Sequence, residues 1–174
     1  MLENRLRSSL GLYRITRTQT IFWYLGYAPI LPPRRGGRGS DRLAGHAYHH
    51  RARLKGVGVD CAQLPLGVYA NVGLIEAFDT GDYPPDWHLH RVGERYLAVL
   101  SRFAGEIDPA AVQPGDVLLF KFGRAFSHGA IVTAWPQIVH ANRRDGAVVL
   151  GDVDRDADLI GRPMKAYSYW RPTD

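Results

Sequence analysis

Residues 117–150 read VLLFKFGRAFSHGAIVTAWPQIVHANRRDGAVVL, and this stretch decides the fold. Four apolar, β-prone runs stand in it, at 117–122, 129–134, 137–141 and 147–150. Each has strand length and is rich in Val, Ile and Phe. The turn Gln113-Pro114-Gly115-Asp116 precedes the first, and residues 165–170 (KAYSYW) alternate in period two as a closing strand. Upstream the period changes. Leu64, Val68, Val72 and Ile75 recur at helical spacing after Asp60, a good N-cap residue. Pro65 falls within the first turn or so, where it costs less than in mid-helix. That helix is expected to end near Asp79-Thr80-Gly81. Residues 92–103 read as a second amphipathic helix, and residues 54–58 (LKGVG) as a short segment broken by glycine. Helices first and strands second predict an α+β domain with the helices packed on an antiparallel β-sheet.

The chain has 174 residues, 45% hydrophobic and 22% charged, with 19 Gly and 11 Pro. This composition suits one globular domain and argues against a disordered chain. A single cysteine excludes an intrachain disulfide and a Cys-based zinc site. The formal charge of +5 is unevenly spread: residues 1–58 hold 11 Lys/Arg and 2 acids, residues 59–174 hold 11 and 15. Residues 32–41 (PPRRGGRGSD) read as a linker. The expected organisation is a basic arm and linker over 1–42 and a compact domain over 43–174. No recognised nucleic-acid motif accompanies the basic residues, so no nucleic-acid partner is expected. No stretch reaches the roughly 18 apolar residues of a spanning helix, so no membrane span is expected. The nearest candidate, residues 20–31 (TIFWYLGYAPIL), follows Arg14 and Arg17 as a signal peptide would. Gly26 and Pro29 interrupt it, and no small-x-small cleavage site follows. It reads instead as an arm that docks through Phe22, Trp23 and Tyr24.

Cys61 lies one residue past the expected N-cap. A lone cysteine is usually a small buried hydrophobe. At a helix N-terminus, however, the dipole and free N–H groups favour a thiolate, and the Cys61 N–H can donate to an oxyanion. A thiolate nucleophile needs a base, and the base an orienting partner. Among seven histidines, His128 opens one apolar strand and His140 sits inside the next. Either could equally be a hydrogen-bonded core residue. A hairpin centred near Pro136 sets His140 opposite Val132, on the same face as His128 but four residues out of register. Twist, a bulge or another pairing must close that gap. His49 and His50 are adjacent and would point apart on a strand. His88 and His90 share a face if extended but have no evident third metal ligand, so no metal site is expected there.

Asp60-Cys61 opening a helix, Pro114-Gly115-Asp116-Val117 before a strand, Ser127-His128-Gly129-Ala130-Ile131-Val132, and Ile138-Val139-His140-Ala141 occur in that order. Together they resemble the NlpC-type papain-like cell-wall cysteine peptidases. The 12-residue step from His128 to His140 fits as well. Residues 45–61 (GHAYHHRARLKGVGVDC) resemble the branch found in phages and gene transfer agents. The likeness covers about residues 45–170. It implies Cys61 as nucleophile, His128 as base and His140 as the orienting third residue. Tyr48, Asp60 and Ser127 are implied at the substrate site. The sequence departs from the family at Ala62-Gln63, where Ser or Leu and then Gly are usual. It departs again at Pro65, and at Gly45-His46-Ala47-Tyr48 in place of Gly-Thr-Pro-Tyr. The resemblance implies hydrolysis of an amide in bacterial peptidoglycan stem peptides, without metal or organic cofactor. It also implies a virion- or tail-associated protein made in the bacterial cytoplasm, with the basic arm meeting phage-like tail or tail-tip proteins. The competing reading is a catalytically inactive structural or wall-binding tail component.

Overall fold

The computed structural model describes residues 42–54, 57–71, 73–77, 79–83 and 95–169. The basic arm, residues 20–31, the linker up to residue 41, and His88 and His90 lie outside the described residues. The strands are β1 (Arg42–Ala47), β2 (Arg53–Leu54), β3 (Gly58–Val59), β4 (Gly105–Ile107), β5 (Val117–Phe122), β6 (Ala125–Ala134), β7 (Gln137–Asn142), β8 (Ala147–Asp152) and β9 (Met164–Ser168). Among the described residues the helices are α1 (Gln63–Asn71) and α2 (Arg95–Leu100), with a 3₁₀ turn at Pro109–Ala111. Seven strands form one sheet in the order β1-β8-β7-β6-β5-β9-β4, and every neighbouring pair is antiparallel. β2 and β3 form a separate two-stranded antiparallel sheet at the two ends of the segment 54–58. The expected α+β architecture is present.

Both faces of the central strands are covered, which explains their nearly unbroken apolar runs. On one face Val117, Leu119, Ile131 and Val139 pack with Leu64, Leu66, Val68 and Tyr69 of α1 and with Tyr96 and Leu100 of α2. On the other face Leu118, Phe120, Ala130, Val132 and Ile138 pack under Leu159. The sheet is thus sandwiched between the helices and the irregular segment after β8.

Asp60 starts α1 as expected. Its Oδ1 accepts from the N–H groups of Ala62 (3.0 Å) and Gln63 (2.8 Å), and its carbonyl accepts from Leu64 N–H at 2.9 Å. This is N-capping geometry, with Cys61 as the first helical residue. The helix ends eight residues before the expected stop. Gly73 takes a φ of +74°, its N–H donates to Ala70 O, and Leu74 N–H returns to Tyr69 O. That pair of bonds is a Schellman closure, and glycine adopts the left-handed backbone at low cost. Ile75 is nonetheless buried, so its helical spacing served the core without extending the helix. The second expected helix, 92–103, is described as helical only over α2, followed by turns held by Ser101 N–H to Leu97 O and Ala104 N–H to Leu100 O.

Two irregularities in β6 shape the site. Between Val132 and Ala134 the pairing with β7 shifts, so that His140 stands opposite Ala130 instead of the expected Val132. The four-residue mismatch between the histidines falls to two, a diagonal on one face. Against β5 the register shifts again: Phe120 faces His128 but Lys121 faces Phe126, which leaves Ser127 as the extra residue of a bulge. The registered pairs of β6 with β7 begin at Ala130, so the first half of β6 is paired with β5 alone.

Candidate active site

The N-terminus of α1 meets β6 at this half-paired stretch. Pro65 has no N–H to offer the Cys61 carbonyl four residues earlier. That carbonyl instead accepts from Tyr96 Oη of α2 at 3.3 Å. Gly129 of β6 lies directly beneath: a Cβ there would overlap Tyr96 Oη and sit 2.7 Å from Cys61 O. Only glycine lets the strand come this close. The Cys61 thiol donates to Ser127 O at 3.7 Å, so the sulfur rests on the carbonyl of the bulge residue next to His128. The loop ahead of the helix is tied to the same cap. Asp60 Oδ2 accepts from Arg51 N–H and from Tyr83 Oη, both at 2.7 Å, and His50 Nδ1 lies 3.6 Å away.

The two histidines of the opposite face meet each other. His128 Nε2 and His140 Nδ1 are 2.8 Å apart, with the rings edge-on at 87°. His128 also packs against Phe122 and Phe120. His140 is only 1% exposed. Cys61, His128 and His140 all line one cleft of about 500 Å³, together with Tyr48, Ser127 and Arg143. The thiol's hydrogen bond goes to the Ser127 carbonyl and not to an imidazole.

Burial governs the protonation states. It pushes the Cys61 thiol from its ordinary 9.0 up to about 12, and the Asp60 carboxylate beside it adds to the rise. The N–H groups of Gly129, Cys61 and Ala62 pull the other way. Desolvation and the capping carboxylate outweigh the donors that favour a thiolate in the sequence-based expectation, so the shift is towards a resting thiol. Burial likewise holds His128 well below 6.5, with the neighbouring His140 and Arg162 as further causes. His140 is also lowered by burial, against the pull of Asp156, Asp145 and Asp158. The resting pair is neutral thiol and neutral imidazole.

Tyr48 is half-buried at the cleft, and its N–H donates to Gly146 O at 2.9 Å. Burial, Cys61 and Asp60 raise its hydroxyl pKa, while Arg143 lowers it, so the phenol lies among these groups. Asp60 lines the cleft, but both its oxygens are occupied within the protein. Ser127 is buried and offers its carbonyl. Sequence reasoning set His50 aside and passed over Asn142, Arg143, Arg144 and Asp158, which all line the cleft. Arg143 and Arg144 directly follow the strand that carries His140, and that adjacency was the available signal. No group of three or more His, Cys, Asp or Glu residues with metal-binding geometry is present among the described residues, and no described helix is long and apolar enough to cross a membrane.

No protein-family model matches the chain, and no curated protein matches its sequence. Solved structures do. NlpC2 from Trichomonas vaginalis matches with a TM-score of 0.52 and 18% identity, over 74% of this chain and 42% of that one. The peptidoglycan hydrolase RipB from Mycobacterium tuberculosis matches with a TM-score of 0.51 and 16% identity, over 90% of this chain and 66% of that one. The chain therefore spans less than two thirds of either protein's length. What it shares with them is the fold, the α+β arrangement of NlpC-type papain-like domains.

Proposed function

We propose that this chain is a cysteine amidase or endopeptidase acting on stem peptides of bacterial peptidoglycan, with Cys61 as nucleophile, His128 as base and His140 as the residue that orients the base. The observation that carries the reading is the 2.8 Å contact between His128 and His140 in the cleft that also holds the Cys61 sulfur at a helix N-terminus. The likeness in fold to the peptidoglycan hydrolase RipB supports the substrate class. In this route the S–H turns from the Ser127 carbonyl to the free nitrogen of His128. Sulfur attacks the scissile carbonyl as the proton leaves, and the Cys61 N–H receives the developing oxyanion. His128 then protonates the leaving amine as the C–N bond breaks, and water hydrolyses the thioester. With a resting thiol, deprotonation belongs to the attack itself. Tyr48 and Arg143 offer a hydroxyl donor and a cation to the bound peptide. The phage-like stretch at residues 45–61 supports delivery by a virion or tail, with the basic arm as the attachment device.

The test is a digest of purified peptidoglycan and defined muropeptides, wild type beside Cys61→Ala. Amide products from the wild type and none from the variant, at equal thermal stability, support the reading. Equal digestion by both refutes it. The raised thiol pKa favours one alternative, a wall-binding domain without turnover. That alternative predicts that neither protein releases products while both sediment with sacculi.

A further inference from the structure

His140 has a second ring nitrogen, and its surroundings are specific. Nε2 is fully buried and has no hydrogen-bond partner, and the nearest charged atom is Asp156 Oδ2 at 3.6 Å. The Asp156 carboxylate is held in place by its own turn. Its Oδ1 accepts from Asp158 N–H at 2.8 Å. Its N–H donates to Asp152 O, and its carbonyl accepts from Leu159 and Ile160. The free oxygen is thereby aimed at the imidazole. The path between them is kept open by Gly151 of β8, where a Cβ would lie 3.0 Å from His140 Nε2 and 3.4 Å from Asp156 Oδ2.

We infer that Asp156 is a positioning residue that fixes the tautomer of the His140–His128 pair. This rests on the proposed hydrolase reading, which gives the pair its work. A neutral His140 carries one N–H. If that hydrogen is on Nδ1, it donates to His128 Nε2, and the His128 hydrogen is forced onto Nδ1. His128 then has no lone pair left for the thiol proton. If the hydrogen is on Nε2, it faces the Asp156 carboxylate. Nδ1 then accepts from His128 Nε2–H, and His128 Nδ1 is left as the base nitrogen. A carboxylate at Nε2 selects the second chain, in the way an orienting acid sets the tautomer of a catalytic histidine. The other charges that act on His140 are Asp145 and Asp158, and Arg162 acts on His128. None of these has a contact to His140 Nε2 comparable to that of Asp156.

The decisive variant is Asp156→Asn. Its oxygen keeps the bond from Asp158 N–H, so its amide N–H₂ faces His140 Nε2 and forces that nitrogen to accept. Long-range ¹⁵N NMR of the imidazoles in the full chain is expected to show His140 protonated at Nε2 in the wild type and at Nδ1 in Asp156→Asn. The expected loss in kcat/KM is at least about tenfold, the equivalent of one pKa unit of coupling, with partial recovery in Asp156→Glu. A wild-type His140 protonated at Nδ1 overturns the inference, and so does an active Asp156→Asn with an unchanged tautomer. A wild type without hydrolase activity refutes the functional reading instead, and the NMR result still decides the role of Asp156.

Discussion

Replacing Tyr96 by Phe removes one hydroxyl, and with it the donor that answers the Cys61 carbonyl at 3.3 Å. In an ordinary helix that carbonyl would be served by the N–H four residues on, but position 65 is proline. Tyr96 is 4% exposed, so water does not readily replace the lost hydroxyl. An unsatisfied buried carbonyl costs about 1–3 kcal/mol, and the long bond places Tyr96→Phe at about 1–1.5 kcal/mol. Urea melts should then shift to a lower midpoint by roughly 0.5–1 M at unchanged slope. The double-mutant cycle with Pro65→Ala isolates the cause. An alanine at 65 brings its own N–H to Cys61 O and makes the tyrosine hydroxyl redundant. The cost of Tyr96→Phe should fall below about 0.5 kcal/mol in that background, a coupling of about 1 kcal/mol. Equal cost of Tyr96→Phe in both backgrounds refutes the view that Tyr96 substitutes for the missing helical bond.

Two further predictions concern protonation. The Cys61 pKa is raised from 9.0 to about 12, so its contribution to stability is complete below pH 9 and is lost as pH climbs towards 12. The lowered histidines act in the opposite sense: His128 and His140 contribute fully above 6.5 and lose that contribution as pH falls through their depressed values. Urea midpoints should therefore be highest between about pH 6.5 and 9, with Cys61→Ala flattening part of the alkaline limb, and a midpoint that rises below pH 6 contradicts this. Iodoacetamide should label Cys61 about 10²–10³ times more slowly near neutral pH than it labels a small free thiol, with the rate climbing about tenfold per pH unit. A labelling rate that is already at its plateau by pH 8 contradicts the resting-thiol assignment.

The parts of the fold that were legible in the sequence are those set by local chemistry. Asp60 caps where its side chain can reach two N–H groups within three residues. Residues 117–122 and 137–141 form strands because their apolar character fits a sheet buried on both faces. What was not legible is set by partners distant in sequence. β1 (RLAGHA) shows no alternation, and it is a strand because the edge of β8 is there to pair with it. β4 is three residues long and exists as a neighbour of β9. Val72 and Ile75 continue the helical spacing, yet Gly73 ends the helix, because Ile75 reaches the core from the chain beyond the Schellman turn.

The site divides along the same line. That Cys61, His128 and His140 share one cleft was expected from the family resemblance of the motifs that carry them. How they come together depends on two register shifts in β6, and a bulge is decided by competition between strand pairings, which no single segment encodes. The protonation of Cys61 depends on burial in the same non-local way. From sequence, Asp60 is a cap and its helix an anion-stabilising terminus. In the fold, that carboxylate is a buried negative charge beside the sulfur, held there by Arg51 N–H and Tyr83 Oη. The group that makes the helix begin at Cys61 is thus one that keeps Cys61 protonated. In the proposed hydrolysis, a site built this way has little use for a standing thiolate and depends instead on the lone pair of His128 being free when substrate arrives. The tautomer of the histidine pair, and the aspartate aimed at its far end, therefore matter more here than the helix dipole does.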